Sequence, residues 1–100
     1  MVDQITPEQA AERQLAGATI IDVRETDEFA GGHAKGAVNI PLSQLQSRFD
    51  EVPDVDDLLV ICQAGGRSQK ACEWLDTQGI PATNISGGTA QWIFEGLPVE

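Results

Sequence analysis

Leu58-Leu59-Val60-Ile61-Cys62 is an unbroken apolar run with no polar residue interleaved. A strand with one wet face alternates polar and apolar residues, so a run without alternation must be covered on both sides. That is the situation of a central strand in a parallel sheet. The rest of the chain fits around it. Ala18-Thr19-Ile20-Ile21-Asp22-Val23, Ala37-Val38-Asn39-Ile40 and Ala82-Thr83-Asn84-Ile85 are short, β-branched strand segments, the second closed by Pro41. Between them lie helical signals. Thr6-Pro7-Glu8-Gln9 opens a helix with Thr6 as cap, Pro7 at its first position and Gln9 closing a capping box, and Gly17 stops it. Thr26 to Ala30 reads as a short helix ended by Gly31-Gly32. Ser43-Gln44-Leu45-Gln46 offers a second capping box, with Leu42, Leu45 and Phe49 at helical spacing. A longer helix runs from about Arg67 to Gln78 before Gly79, and a last short one holds Gln91, Trp92 and Phe94. No Asn-Gly or Asp-Gly turn joins two strands. The pattern predicts an α/β domain with a mostly parallel sheet and helices on both faces.

At 100 residues, of which 41% are hydrophobic, the chain suffices for one domain spanning 1–100 with a core that needs no disulfide or metal. Its 16 acidic and 6 basic residues give a net charge of −10. Binding nucleic acid requires clustered Lys and Arg, so that charge argues against a nucleic-acid partner, and equally against an anionic membrane. No apolar stretch is long enough to span a bilayer, and the first residues lack the basic and apolar regions of a secretory signal. Two isolated cysteines without such a signal point to a reducing, cytoplasmic setting. Neither Cys62 nor Cys72 belongs to a C-x-x-C pair, and a single histidine leaves no basis for a structural zinc site, so neither metal nor cofactor is expected.

In open parallel sheets ligands bind at the carboxyl ends of strands. Two segments fall there: Asp22-Val23-Arg24-Glu25, and Cys62-Gln63-Ala64-Gly65-Gly66-Arg67-Ser68. In the second, a cysteine at a strand end is followed by a flexible, glycine-bearing loop and a helix N-terminus. Gly65 and Gly66 allow the tight curl that turns successive N–H groups inward as an anion nest. The helix dipole and Arg67 add positive potential, and all of these favour thiolate over thiol. The expected chemistry is nucleophilic sulfur acting on an anion, with Cys62 as nucleophile and Gln63, Ala64, Gly65, Gly66, Arg67 and Ser68 holding the substrate. The loop lacks the spacing of a Walker A or dinucleotide motif. His33 reads as a turn residue rather than a catalytic partner. Cys72 shares a helix face with Ala71 and Leu75 and reads as a small core residue, carried too far from the loop for a disulfide with Cys62.

Four segments resemble the single-domain rhodaneses, the thiosulfate sulfurtransferase family: Ile21-Asp22-Val23-Arg24 with Glu28-Phe29, Gly32-His33-Ala34-Lys35-Gly36-Ala37-Val38-Asn39-Ile40-Pro41, the Cys62–Ser68 loop as C-x-x-G-x-R-S, and Gly87-Gly88-Thr89-Ala90-Gln91-Trp92 through Gly96-Leu97-Pro98-Val99. Ala34 and Lys35 depart from the family's usual residues. The resemblance implies a five-stranded parallel sheet flanked by helices and a Cys62 that cycles between thiolate and persulfide. It implies a small anionic sulfur donor such as thiosulfate and a cyanide, thiol or protein acceptor. Arg67 would hold the donor's sulfonate, Ser68 would donate to the sulfur, and Asp22 and Arg24 would support the neighbouring strand end. A persulfide carrier serving a partner protein is the alternative. A phosphatase or arsenate reductase on the same fold is a distant third, because only four residues separate Cys62 from Arg67, where those enzymes use five.

Overall fold

The helix opened at Thr6 forms as its sequence dictates. In the computed structural model, which describes residues 1–100, Thr6 Oγ1 accepts from Gln9 N at 3.1 Å and Gln9 Oε1 accepts from Thr6 N at 2.9 Å, closing the capping box. In chain order the elements are β1 (Asp3–Ile5), α1 (Pro7–Leu15), β2 (Thr19–Asp22), α2 (Thr26–Ala30), β3 (Val38–Asn39), β4 (Leu58–Ile61), α3 (Gly66–Thr77), β5 (Thr83–Ile85) and α4 (Gly88–Phe94). All five strands are parallel, in the order β1-β5-β4-β2-β3. No helix is long and apolar enough to cross a membrane.

β4 is central, and every one of its residues is buried. Its successive side chains face opposite ways. Leu58, Val60 and Cys62 join Ile21, Val23 and the Ala71, Cys72 and Leu75 face of α3 in one core. Leu59 and Ile61 join Ile20, Ile85, Ala10 of α1 and Trp92 of α4 in the other. The absence of alternation in the sequence is thus two interleaved cores. Burying each such side chain contributes roughly 1.5–3 kcal/mol before conformational entropy is set against it.

Two expectations need correction. The Ser43 capping box does not start a helix. The segment forms two 3-10 turns, Leu42–Gln44 and Phe49–Glu51, and the Ser43 hydroxyl instead donates to Glu25 Oε2 at 3.1 Å. Leu45 alone of the trio is buried, while Leu42 and Phe49 are only partly so; this segment closes the core as irregular chain. The strand pattern in the sequence also omits β1, whose residues are exposed or half-buried at a sheet edge and carry no apolar signal.

The topology contains a switch point. β2 leads outward to β3 on one side, while β4 leads to β5 on the other, so the connections diverge beyond the carboxyl ends of β2 and β4. Such a switch point is where this architecture places ligands. α4 reaches the same place through Gly88, which has φ +59° and lies against the β4–α3 loop. A Cβ there would collide with the backbone carbonyls of Cys62 and Gln63, the latter at 2.6 Å. Gly79, by contrast, has φ +78° with open space around it. Gly79→Ala should therefore cost only the roughly 1–2 kcal/mol of a left-handed backbone. Gly88→Ala carries that strain plus a backbone collision and should cost clearly more, as read by urea denaturation of both variants. Equal losses would show that the close approach of α4 to the loop contributes nothing.

Candidate active site

Cys62 follows β4 directly, and the strand's alternation turns its side chain toward α3 rather than α4. The loop beyond it curls because its carbonyls are held from behind. Thr89 donates twice to the Cys62 carbonyl, from N at 2.8 Å and from Oγ1 at 3.0 Å, and Ala90 N donates to the Gln63 carbonyl at 3.1 Å. With those oxygens drawn toward α4, the N–H groups that follow face the other way. Gly65, at φ +109°, completes the curl and caps α3. Its amide donates to Cys62 Sγ at 3.1 Å, and the Ser68 hydroxyl approaches the same sulfur at 3.3 Å. Cys62 and Ser68 are buried, whereas Gln63, Ala64 and Gly66 are exposed. The sulfur is therefore buried beneath a short exposed stretch of the loop.

Burial by itself would push the Cys62 thiol up. The Ser68 hydroxyl and the amides of Ser68, Gly65 and Ala64 outweigh it and bring the thiol below its ordinary value. Of the amides between Gln63 and Ser68, it is these three that bear on the sulfur. Cys72, one turn beyond Ser68 on α3, has burial without donors, which pushes it up to about 12. Both cysteines are free. Two thiols in one core thus have opposite characters, decided by the hydrogen-bond donors that only one of them meets.

The neighbouring strand end is held by a buried ion pair. The Asp22 carboxylate accepts from Arg24 N at 3.0 Å, from Arg24 Nε at 3.1 Å and from an Arg24 terminal nitrogen at 2.9 Å. Arg24 is 4% exposed and Asp22 fully buried, and the guanidinium also donates to the Gly32 carbonyl at 2.8 Å and to Gln63 Oε1 at 3.3 Å. Asn39 Nδ2 bridges the carbonyls of Asp22 and Arg24 at 3.0 Å each. The charge pair ties the end of β2 to the Gly32 turn and the first loop residue, and Asn39 ties β3 to the same strand end through its backbone.

Arg67 is engaged in an ion pair. Its two terminal nitrogens grip the Glu28 carboxylate of α2 at 2.7 and 2.9 Å, and the pair raises the guanidinium's already high affinity for its proton. The same contact holds Glu28 down at about 2. Arg67 thus clasps α2 to the start of α3, and an incoming anion meets it already paired. His33 stacks on Phe29 with ring centroids 3.6 Å apart and is not among the groups around the sulfur. Trp92 is buried with its Nε1 donating to the Pro98 carbonyl at 2.7 Å, whereas Phe94 is exposed. Glu28 and Thr89 were not legible as site residues. The partner of Glu28 is 39 positions away, and the role of Thr89 depends on where α4 docks.

The Glu28–Arg67 contact fixes a pH signature. A carboxylate whose pKa is depressed in the folded state stabilises it above the unfolded value and loses that effect as pH falls through the folded one. The stability difference between the parent and Glu28→Gln should be flat above about 4.5 and should shrink between there and about 2, as measured by denaturation at a series of pH values. A difference that persists at pH 2 would mean that Glu28 stabilises the fold by something other than its charge.

The comparisons with known proteins agree with this geometry. The rhodanese-like domain model matches residues 6–95. A sulfurtransferase of Allochromatium vinosum is 31% identical over 99% of this chain and 95% of its own length. The thiosulfate sulfurtransferase GlpE of Haemophilus influenzae is 33% identical, over 97% and 93% respectively. The crystal structure of a rhodanese-related protein from Thermoplasma volcanium superposes with a TM-score of 0.90 at 33% identity, covering 98% of this chain and 97% of that one. These likenesses support a sulfurtransferase or sulfur-carrier role. With its parallel five-stranded sheet and its cysteine loop at the switch point, the chain belongs to the rhodanese-like domain family.

Proposed function

We propose that the protein is a sulfurtransferase that carries sulfane sulfur on Cys62, taking it from thiosulfate or a similar anionic donor and passing it to cyanide or a thiol. The carrying observation is the convergence of the Gly65 amide and the Ser68 hydroxyl on one buried sulfur. In the first step the thiolate attacks the outer sulfur of thiosulfate. A bond forms between the two sulfurs, the bond to the sulfonate sulfur breaks, and sulfite leaves with its electron pair. In the second, cyanide or a thiolate attacks the terminal persulfide sulfur, and Cys62 departs as thiolate. Both resting forms of the cysteine are monoanions, so the same fixed donors serve each.

Arg67 contributes its charge and its remaining N–H groups to the donor's sulfonate while Glu28 holds it in place. The carrier reading draws support from the loop residues beside the buried sulfur: Gln63, Ala64 and Gly66 are exposed and stand where a partner protein's surface would meet the loop.

Intact mass after thiosulfate treatment should rise by one sulfur atom, removable by reductant. Cys62→Ser should abolish both this adduct and turnover, and Cys72→Ala should keep both. An adduct that survives in Cys62→Ser would overturn the assignment. A stable adduct with negligible turnover toward cyanide would favour the carrier. Arg67→Ala should raise the KM for thiosulfate with a smaller effect on kcat, and an unchanged KM would remove Arg67 from the donor site.

A further inference from the structure

Ser68 has one hydroxyl proton and two acceptors within reach, Cys62 Sγ at 3.3 Å and the Gly65 carbonyl oxygen at 3.2 Å. Whichever acceptor takes the proton decides whether the sulfur has its side-chain donor. A carbonyl oxygen offers two lone pairs. At Gly65 one receives the first hydrogen bond of α3, from Gln69 N at 3.1 Å. The other is met by Asn84 Nδ2 at 3.2 Å. With both occupied, the sulfur is the acceptor left for Ser68.

Asn84 is otherwise hard to account for. It is the middle residue of β5, 3% exposed, and its Oδ1 is buried with no hydrogen-bond partner. An orphaned buried oxygen is costly, and an apolar residue of the same shape would avoid it. Its nitrogen, by contrast, faces three acceptors: Gln4 Oε1 at 2.8 Å, the Gly65 carbonyl, and Gln69 Oε1 at 3.3 Å. Turning the amide over would set its oxygen against the Gly65 carbonyl oxygen, a backbone acceptor that cannot itself turn, so nitrogen points toward the loop. Gln4 is steadied in turn by the Ser86 hydroxyl, which donates to its Oε1 at 3.1 Å.

We propose that Asn84 is a positioning residue for the sulfur chemistry: by occupying the Gly65 carbonyl it leaves the Ser68 proton to Cys62 Sγ. The proposal rests on the reading of Cys62 as the sulfur-handling nucleophile, but it concerns the free protein before any donor arrives. The charged groups near the sulfur are Arg24 with Asp22 at the end of β2, and Arg67 of α3 with Glu28 of α2. None of them is hydrogen-bonded to Asn84. β5 and α4 carry no charged residue, the other thiol on α3 is Cys72, and Glu73 reaches the network only through Gln69 Nε2 at 3.1 Å.

The rival role, in which Asn84 merely props up the loop and its Gly65 amide, is separated by a double-mutant cycle. In a Cys72→Ala background, where Cys62 is the one thiol, the rate of alkylation by iodoacetamide is followed against pH. Asn84→Ala and Ser68→Ala should each slow alkylation at neutral pH by about tenfold and move the midpoint upward by a similar amount. The double variant should do no more than either alone. No change in Asn84→Ala would overturn the proposal, as would a double variant whose effect is the sum of the two. If Asn84→Ala fails to fold, Asn84→Leu, close in volume and equally without a donor, enters the same cycle. Alkylation reports ionisation rather than turnover, so the cycle can be read even in a protein inactive toward thiosulfate, and its failure would leave sulfur transfer standing.

Discussion

The hydrogen bonds from Thr89 and Ala90 to the carbonyls of Cys62 and Gln63 are the constraint on which the site depends. A loop of small residues between a strand and a helix has many ways to run, and most would scatter its N–H groups. Fastening the carbonyls on the α4 side removes that freedom, so the remaining amides converge on the sulfur. This explains why α4, which contributes no side chain to the sulfur's surroundings, must approach without a Cβ at Gly88. Trp92 supplies the anchorage: fully buried in the core shared with α1, it holds the helix at the depth its N-terminus needs.

Charge is managed by local neutralisation. Arg24 is matched with Asp22 and Arg67 with Glu28, so each guanidinium near the sulfur is paired with a carboxylate. Removing ions from water is costly, and a buried pair is weak evidence for net stability. What these pairs provide is geometry, since one joins β2 to the loop and the other joins α2 to α3. The sulfur itself is met by oriented dipoles, which operate at contact range and favour its ionised form. The surplus of acidic residues over the rest of the surface is screened beyond about 8 Å at physiological salt and need not oppose it.

Legibility followed the reach of each interaction. The central strand could be read because burial on both faces leaves an apolar run, and α1 because its cap is local to Thr6 and Gln9. Cys62 and Ser68 could be read because their loop is contiguous and its glycines mark a tight curl. The 3-10 segment misled because helical spacing and a capping box are necessary for a helix but do not oblige one, and Glu25 took the Ser43 hydroxyl that a cap required. β1 was invisible because an edge strand of three exposed or half-buried residues has no hydrophobic pattern to show. The partners of Arg67 and of the loop carbonyls were invisible for another reason: they come from α2 and α4, and sequence spacing carries no record of which helix docks where.

The arrangement around Cys62 Sγ is consistent with the kind of reaction proposed. A reaction that makes and breaks bonds at a single sulfur requires precision over one atom, and the two donors that meet that atom, the Gly65 amide and the Ser68 hydroxyl, come from one short loop. The rest of the donor or acceptor can remain in solvent or on another protein's surface, so no deep pocket is needed. The architecture thereby separates two demands that larger substrates force together. The buried hydrogen bonds to Cys62 Sγ lie within the loop, while Gln63, Ala64 and Gly66 stand exposed around it and Arg67 is clasped to Glu28 beside them. Substitutions at those exposed positions leave the donors to the sulfur in place, provided the carbonyls behind the loop stay fastened to Thr89 and Ala90.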